Sequence, residues 1–293
     1  MATAVRAEAL GKLYSQGVWG AVDVSFKAEE RELVVLLGPN GSGKSTTIHI
    51  LSTLIKPTKG RGEVAGYDVV KDAEMVRKRI ALMPQEGRPD PNWTPLEAVQ
   101  WYLVARGMSL SSARQEARRW LEELDLWEVR NTPGWELSGG QRRRTLTAMI
   151  LATEAQVIFL DEPTEAVDVE GKYKIWGAVR RAVKGGRSAI YTTHNMREAE
   201  QIADMVVILS EGRSVVSGPP SELVRALPFK YRVVVESTSP IEAKFKVKVG
   251  ETVIAYFESF SEARSALPSD GRATVEQVSL EDVYLYYTKG AKP

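Results

Sequence analysis

Nine consecutive residues, Gly38-Pro39-Asn40-Gly41-Ser42-Gly43-Lys44-Ser45-Thr46, follow the pattern GxxxxGK[ST], and the chemistry this pattern suits is phosphate binding. Glycines let successive backbone N–H groups converge on one concavity, and a following helix adds the positive end of its dipole. In that setting Lys44 would reach the β- and γ-phosphates of a nucleoside triphosphate, and Ser45 would offer its hydroxyl to Mg²⁺. A second stretch, Val157-Ile158-Phe159-Leu160-Asp161-Glu162, is an apolar run that ends in two carboxylates. An acid at such a tip, opposite a phosphate loop, is placed to hold Mg²⁺ through water, which assigns that role to Asp161. Glu162, one residue on, is the candidate that orients or deprotonates an attacking water. A third stretch, Leu137-Ser138-Gly139-Gly140-Gln141, opens a helix whose apolar face continues through Leu146, Met149 and Ile150. Its N-terminus is an anion site in its own right, although a plain capped helix start with Gln141 at the third position accounts for the same residues.

The elements that position these residues are legible from periodicity. Val22, Val24 and Phe26 alternate with polar neighbours, and Leu33 to Leu37 form the continuous apolar run of a buried parallel strand feeding the glycine loop. Ile48, Ile50, Leu51 and Leu54 then predict a helix, closed by Pro57 and Gly60. Residues from about 86 to 136 are helical in pattern. Thr94, Pro95 and Glu97 supply a cap, a first-turn proline and a capping-box acid for a helix through Met108, and Ala113, Ala117, Trp120, Leu121 and Leu124 mark a second. Strand and helix then alternate: 157–160, 172–183, 189–192, 196–203 and 206–209. That order is the grammar of a parallel sheet covered on both faces. Beyond Pro228 the text turns β-rich. Lys244, Lys246 and Lys248 alternate with Phe245, Val247 and Val249 as in a protected edge strand, and a helix from Ser279 to Lys289 carries Leu280, Val283, Tyr284 and Tyr287 on one face. The division expected is 1–225 for the nucleotide domain, with a helical subdomain over about 86–136, and 226–293 for a small α+β domain.

Composition narrows the class. The 293 residues are 43% hydrophobic and 26% charged, a globular balance, and a net charge of +1 from 39 basic and 38 acidic residues supplies no field for a polyanion, so no nucleic acid is expected as partner. With no cysteine, disulfides, thiolate metal sites and cysteine nucleophiles are excluded. Met1 to Leu10 has no apolar core of a secretory signal, and no apolar run approaches the roughly 20 residues that span a bilayer. If a membrane is involved, another chain is expected to cross it.

The pentapeptide Leu137-Ser138-Gly139-Gly140-Gln141, lying between the glycine loop and the acid-tipped strand, resembles the signature of the ATP-binding cassette (ABC) family, and the resemblance runs from about Leu10 to Leu223. It implies an α/β P-loop NTPase core with a mainly parallel sheet, an N-terminal antiparallel β subdomain, a helical insertion and a small α+β C-terminal domain. The glycine loop and the acid-tipped strand would be its Walker A and Walker B motifs. Gln85 falls at the family's Q-loop, whose glutamine contacts Mg²⁺ and the reacting water, so the implied metal set is Ser45, Gln85 and Asp161. His194 matches the switch histidine on the γ-phosphate, Asp168 the D-loop aspartate, and Tyr14 the aromatic that stacks on adenine, with Trp19 as a nearby rival. The implied catalytic set is Glu162, His194, Lys44 and Gln85. Where the family commonly has Ser-Ala-Leu-Asp, this chain has Glu165-Ala166-Val167-Asp168.

The resemblance further implies that two cassettes pack head to tail around ATP and Mg²⁺. Tyr14 and Gly38 to Thr46 would serve one nucleotide in cis, while Ser138, Gly139, Gly140, Gln141 and Asp168 would act in trans. The tail, through Ser279-Leu280-Glu281-Asp282-Val283-Tyr284, is similar to ATPase subunits of ABC-2 type drug and antibiotic exporters. The partners implied are separately encoded transmembrane permease subunits and a second ATP-binding subunit, with the chain cytoplasmic and peripheral on the cytoplasmic face of the membrane. The alternative is a soluble ABC ATPase not coupled to transport. Such proteins usually carry fused cassettes, long coiled coils or cysteine clusters.

Overall fold

A computed structural model describes residues 2–236, 241–268 and 273–290. Ten strands form one sheet in the order Tyr67–Asp68, Lys59–Val64, Thr3–Leu13, Trp19–Glu29, Arg213–Gly218, Met205–Ser210, Leu33–Leu37, Ser188–Thr193, Val157–Asp161 and Ile80–Met83. From Met205–Ser210 to Ile80–Met83 every pairing is parallel. The strands Tyr67–Asp68 to Trp19–Glu29 pair antiparallel with one another. They join the parallel part through Arg213–Gly218, which pairs in parallel with Trp19–Glu29 at Arg213 and Asp23 and antiparallel with Met205–Ser210.

Both faces of the parallel part are covered, which is why its strands read as unbroken apolar runs. Alternate residues of one strand point to opposite faces. Leu33, Val35 and Leu37 join one core with Ile158, Leu160, Tyr191 and the signature-helix residues Leu146 and Ile150. Val34 and Leu36 join the other with Phe159, Ile190 and the loop-helix residues Ile48, Ile50 and Leu51. Such a doubly covered sheet gathers its functional loops at the carboxyl ends of its strands.

Two helices end three residues short of the sequence expectation, and the helix expected over 172–183 begins three residues earlier, at Val169. The helix after the glycine loop spans Lys44–Leu51, ending before Leu54. Thr53 turns left-handed at φ 66°, the Leu54 N–H donates to the His49 carbonyl, and the Leu54 side chain is left exposed. The helix begun at Thr94 spans Pro95–Ala105 and stops short of Met108, because Gly107 adopts φ 95°. The expected capping box at its start is present, with the Thr94 hydroxyl accepting from the Glu97 N–H at 3.2 Å. The second insertion helix spans Leu110–Glu123 and buries Ala113, Ala117, Trp120 and Leu121.

The C-terminal strands form a separate four-stranded antiparallel sheet in the order Phe245–Val249, Thr252–Phe257, Tyr231–Glu236 and Val275–Gln277. The lysine-alternating strand is at its edge, with Lys246 and Lys248 exposed. The final helix, Leu280–Leu285, widens into a π-helical turn over Tyr286–Gly290. Leu280 and Val283 pack into the core of the large sheet, and the Leu280 N–H donates to Glu200 Oε1 at 2.6 Å. On the other side the fully buried Asp282 accepts from Arg232 at 3.0 Å and from the Tyr256 hydroxyl at 2.9 Å. Burial and the Asp282 charge hold the Tyr256 phenol well above its ordinary value. One short helix therefore fastens the small sheet to the large one. Asp282→Ala removes the carboxylate partnering a half-buried guanidinium, so the unfolding free energy should fall by about 3 kcal/mol, measured as a lower urea midpoint. An unchanged midpoint would show that the tie contributes nothing.

Candidate functional site

The glycine loop leaves the end of strand Leu33–Leu37 and enters helix Lys44–Leu51. Glycine is required at two positions for different reasons. A Cβ on Gly38 would lie 2.4 Å from the Leu209 carbonyl oxygen, and Gly43 combines φ 102° with the Gly20 carbonyl 2.9 Å from where a Cβ would stand. Gly41, at φ 80°, faces open space and needs only the backbone freedom. Asn40 is exposed at the rim, Ser45 and Thr46 are half-buried at the first helical turn, and Ser42 Oγ is buried without a partner.

The acid-tipped strand Val157–Asp161 is separated from the loop's strand by Ser188–Thr193 alone. This neighbour supplies Thr192, whose hydroxyl donates to Asp161 Oδ1 at 2.5 Å and accepts from the Glu162 N–H at 2.9 Å. Glu162 sits at φ 47°, a left-handed conformation that L-residues avoid and that surrounding contacts must hold. Its carboxylate lies between Lys44 Nζ at 3.3 Å and His194 Nδ1 at 2.8 Å. Lys44 is buried at 4% exposure and also donates to the carbonyls of Gly38 at 2.8 Å and Pro39 at 3.1 Å. Three residues far apart in sequence thus meet as one charged cluster, with the His194 ring half-exposed at its mouth.

Asp161 is fully buried, and its second oxygen, Oδ2, has no hydrogen-bond partner. A desolvated carboxylate oxygen left unpaired is costly unless a cation or water meets it. Among the described residues no group of three or more His, Cys, Asp or Glu side chains is placed to hold a metal ion alone. The donor set therefore fits a hard cation shared with phosphate oxygens, which is how magnesium is commonly bound.

The other expected site residues fall in three places. Tyr14 is half-buried with its hydroxyl 3.4 Å from Thr46 Oγ1, beside the loop, whereas Trp19 turns to Lys59, whose ammonium lies 5.5 Å from the indole. Gln85 Nε2 donates to Glu165 Oε2 at 3.1 Å, so the unusual D-loop carboxylate engages the glutamine within the same chain. Ser138 and Gln141 form a reciprocal capping box at 2.8 and 3.1 Å that opens helix Gly139–Leu151, and neither of these two capping bonds reaches the Lys44 cluster. A Cβ on Gly139 would have nothing within 4 Å, and one on Gly140 would meet only Val167 at 3.9 Å. Asp168 caps helix Val169–Lys184 by accepting from the Gly171 N–H at 2.9 Å.

A family model described as "ABC transporter" matches residues 21–165. The chain is 30% identical over 277 residues to a Nod factor export ATP-binding protein I of Burkholderia lata, covering 90% of each. It is 36% identical over 221 residues to a doxorubicin resistance ATP-binding protein DrrA of Mycobacterium tuberculosis, covering 75% of this chain and 67% of that one. The chain belongs to the ABC transporter family. A daunorubicin resistance ATP-binding protein DrrA3 of Streptomyces coeruleorubidus is 39% identical over 188 residues, 64% of this chain, and the match spans only 60% of that relative's length. Among solved structures, a dimeric ATP-binding cassette in a post-hydrolysis state with ADP and Pi superposes with a TM-score of 0.67 at 28% identity, covering 73% of this chain and 98% of that one.

Three further residues of this ABC chain bear on the site and were not singled out from the sequence. Thr192 joins the two acids as described. Glu198, buried, accepts from Thr164 Oγ1 at 2.6 Å, from Trp176 Nε1 at 2.7 Å, and from the hydroxyls of Tyr191 and Thr193, so it links the histidine segment to the chain following Glu162. Arg143 donates to main-chain carbonyls around both Gln85 and Glu162. A signal for Arg143 was available, because it shares the helical stripe of Leu146, Thr147 and Ile150 at i+3, i+4 and i+7. Thr192 and Glu198 had no comparable signal, since partners such as Asp161, Thr164 and Trp176 lie on other elements distant in sequence. Thr192→Val leaves Asp161 Oδ1 and the Glu162 N–H without their hydroxyl. It should lower the unfolding free energy by about 1–3 kcal/mol and slow ATP turnover. Urea unfolding and steady-state ATPase assays check both, and a variant equal to wild type in each would remove Thr192 from the site.

Proposed function

We propose that this chain is the ATP-hydrolysing subunit of an exporter. In this reading it works as one of a pair of cassettes on the cytoplasmic face of a membrane and powers separately encoded transmembrane subunits. The observation that carries the proposal is the cluster of Lys44, Glu162 and His194 beside the unpaired Asp161 oxygen, at the end of a phosphate-type loop. Export is supported by the names of the relatives, which are drug resistance and Nod factor export ATP-binding proteins. Among the described residues no helix is long and apolar enough to cross a membrane, so a spanning partner belongs to the reading. Residues 1–225 form the cassette in this assignment, with its helical subdomain at about 86–136, and 226–293 form the small appended domain, whose sheet has apolar clusters of its own.

Pairing is supported by a property of Gly139 and Gly140. Neither takes a positive φ and neither is crowded within the chain, so a side chain at either would be tolerated by the isolated molecule. Glycine there makes sense if something outside the chain approaches the backbone closely. The triphosphate of a second copy's nucleotide, meeting Ser138, Gly139, Gly140 and Gln141 at a helix N-terminus, is such an object. Asp168 follows Val167, the side chain nearest Gly140, and serves the same nucleotide in this reading.

The residues of the chain divide the work on ATP. In this reading Tyr14, beside the loop, stacks on the base, and Gly38 to Thr46 present backbone N–H groups to the phosphates. Lys44 exchanges its loop carbonyls and Glu162 for phosphate oxygens, which frees the Glu162 carboxylate while His194 holds its orientation. Glu162 then accepts the proton of the water that attacks the γ-phosphorus as the bond to the bridging oxygen breaks, yielding ADP and Pi. Magnesium, when bound by Ser45, Asp161 and Gln85, neutralises charge on the phosphoryl oxygens.

Glu162→Gln retains the hydrogen-bonding shape and loses the proton acceptor. Steady-state turnover should fall by about two orders of magnitude or more, while ATP binding persists and the chain elutes as a nucleotide-bound dimer in size-exclusion chromatography. Near-normal turnover would remove Glu162 from the role.

A further inference from the structure

Arg143 lies on the inward face of the signature helix, between Arg142, which donates to the Leu137 carbonyl, and Arg144, which donates to the Leu124 carbonyl. The middle arginine alone of the three reaches the catalytic loops. Its guanidinium donates to the carbonyl oxygens of Gln85 at 2.7 Å, Glu162 at 2.7 Å, Asp161 at 2.9 Å and Pro163 at 3.3 Å, with the Pro84 carbonyl at 3.5 Å. Two segments distant in sequence, 84–85 and 161–163, are therefore held by one planar fork.

Apart from Asp161, the last residue of strand Val157–Asp161, these oxygens belong to backbone that has just left a strand and has no ladder to join. The carbonyls of Pro84 and Glu162 also accept turn hydrogen bonds from the N–H groups of Gly87 at 3.1 Å and Glu165 at 3.2 Å, which leaves Gln85 and Pro163 most dependent on the guanidinium. Glu162 also holds a left-handed φ of 47°, which costs free energy and persists only where neighbours over-determine it. Thr192 fixes its N–H and Arg143 fixes its carbonyl, so the peptide groups on both sides of the strained Cα are pinned. Gln85 is likewise held twice, by Arg143 at its carbonyl and by Glu165 at its side-chain amide. Burial pulls the guanidinium below its ordinary value, against the opposing pull of Glu165, Asp161 and Glu162, so the fork is desolvated where it makes these bonds.

We infer that Arg143 is a positioning residue for ATP hydrolysis: it locks the backbone of Glu162 and Gln85 into one rigid unit with the signature helix and sets the rate of the chemical step without contacting the nucleotide. Movement of the signature helix is thereby transmitted to the general base and the Q-loop together. This inference rests on the assignment of Glu162 and Gln85 under the proposed function. A lysine keeps the charge but cannot serve carbonyls on two loops with a planar fork.

The test uses the full-length chain as wild type, R143M and R143K, with two readouts. In steady-state kinetics with Mg-ATP, R143M should lose roughly tenfold or more in kcat while the Kd for ATP, measured by equilibrium dialysis, shifts by less than about threefold. R143K should recover only part of the loss. In amide hydrogen exchange of the nucleotide-free chain, segments 84–89 and 161–167 should exchange faster in R143M, roughly tenfold or more, with strand 33–37 unchanged. Should R143M fail to fold, R143K decides both readouts. Wild-type kcat and wild-type exchange in either variant would overturn the inference, as would a weakened Kd at unchanged kcat. A wild-type chain that does not hydrolyse Mg-ATP would sink the proposed function instead, and the exchange comparison would still decide whether Arg143 locks the two segments.

Discussion

The Glu162 carboxylate occupies a position that no single element of the fold could create. Its backbone is bent into the left-handed region at the tip of strand Val157–Asp161, and its oxygens lie between the ammonium of Lys44 and the ring of His194. Three strands, Leu33–Leu37, Ser188–Thr193 and Val157–Asp161, must be adjacent and in parallel register for those side chains to meet. Two apolar cores, one on each face, hold that register, because a slip of one residue would turn every buried side chain to the opposite face. The chemistry at this carboxyl edge of the strands is thus a consequence of burial well below it.

Charge at this edge is handled by local pairing. Glu198 is buried without a cationic partner, and four neutral donors from Thr164, Tyr191, Thr193 and Trp176 satisfy it. Burial and that carboxylate push the Tyr191 hydroxyl well above its ordinary value, so it stays a donor throughout the physiological range. Such saturation is what allows an ionisable group in an apolar interior. Asp161 departs from the pattern, with one oxygen satisfied by Thr192 and one left unpaired, and that asymmetry leaves an oxygen open to a cation or water. The same reasoning sets Ser138 apart, since its capping box is complete within the chain. The hydrogen bonds there are closed, and its neighbouring glycines remain open to a partner.

The C-terminal sheet is joined to the cassette by its last helix. Leu280 and Val283 belong to the core of the large sheet, while Asp282 belongs to the buried polar network of the small one. The sequence stripe of Leu280, Val283 and Tyr284 showed that this helix had an apolar face but not which sheet it covered. The edge strand Phe245–Val249 was readable further, because alternating lysines protect an edge from pairing wherever the sheet is placed.

The sequence by itself determined the loop Gly38 to Thr46, the acid-tipped strand, the signature cap at Ser138, the family, and the strand–helix order from Val157 to Leu209, because each depends on neighbours within a few residues or on an apolar period along one element. The helix end at Leu51 was less legible, since a left-handed residue such as Thr53 stops a helix without a glycine or proline to announce it, whereas at Ala105 the stop came from Gly107. Only the tertiary structure decided that Tyr14 rather than Trp19 faces the loop, that Glu165 engages Gln85, that Thr192 joins the two acids, and that Arg143 rather than Arg142 or Arg144 grips the backbone of Gln85 and Glu162. Those choices are made by groups far apart in the chain, and they exist only once strand order and helix packing have brought the groups within hydrogen-bonding distance.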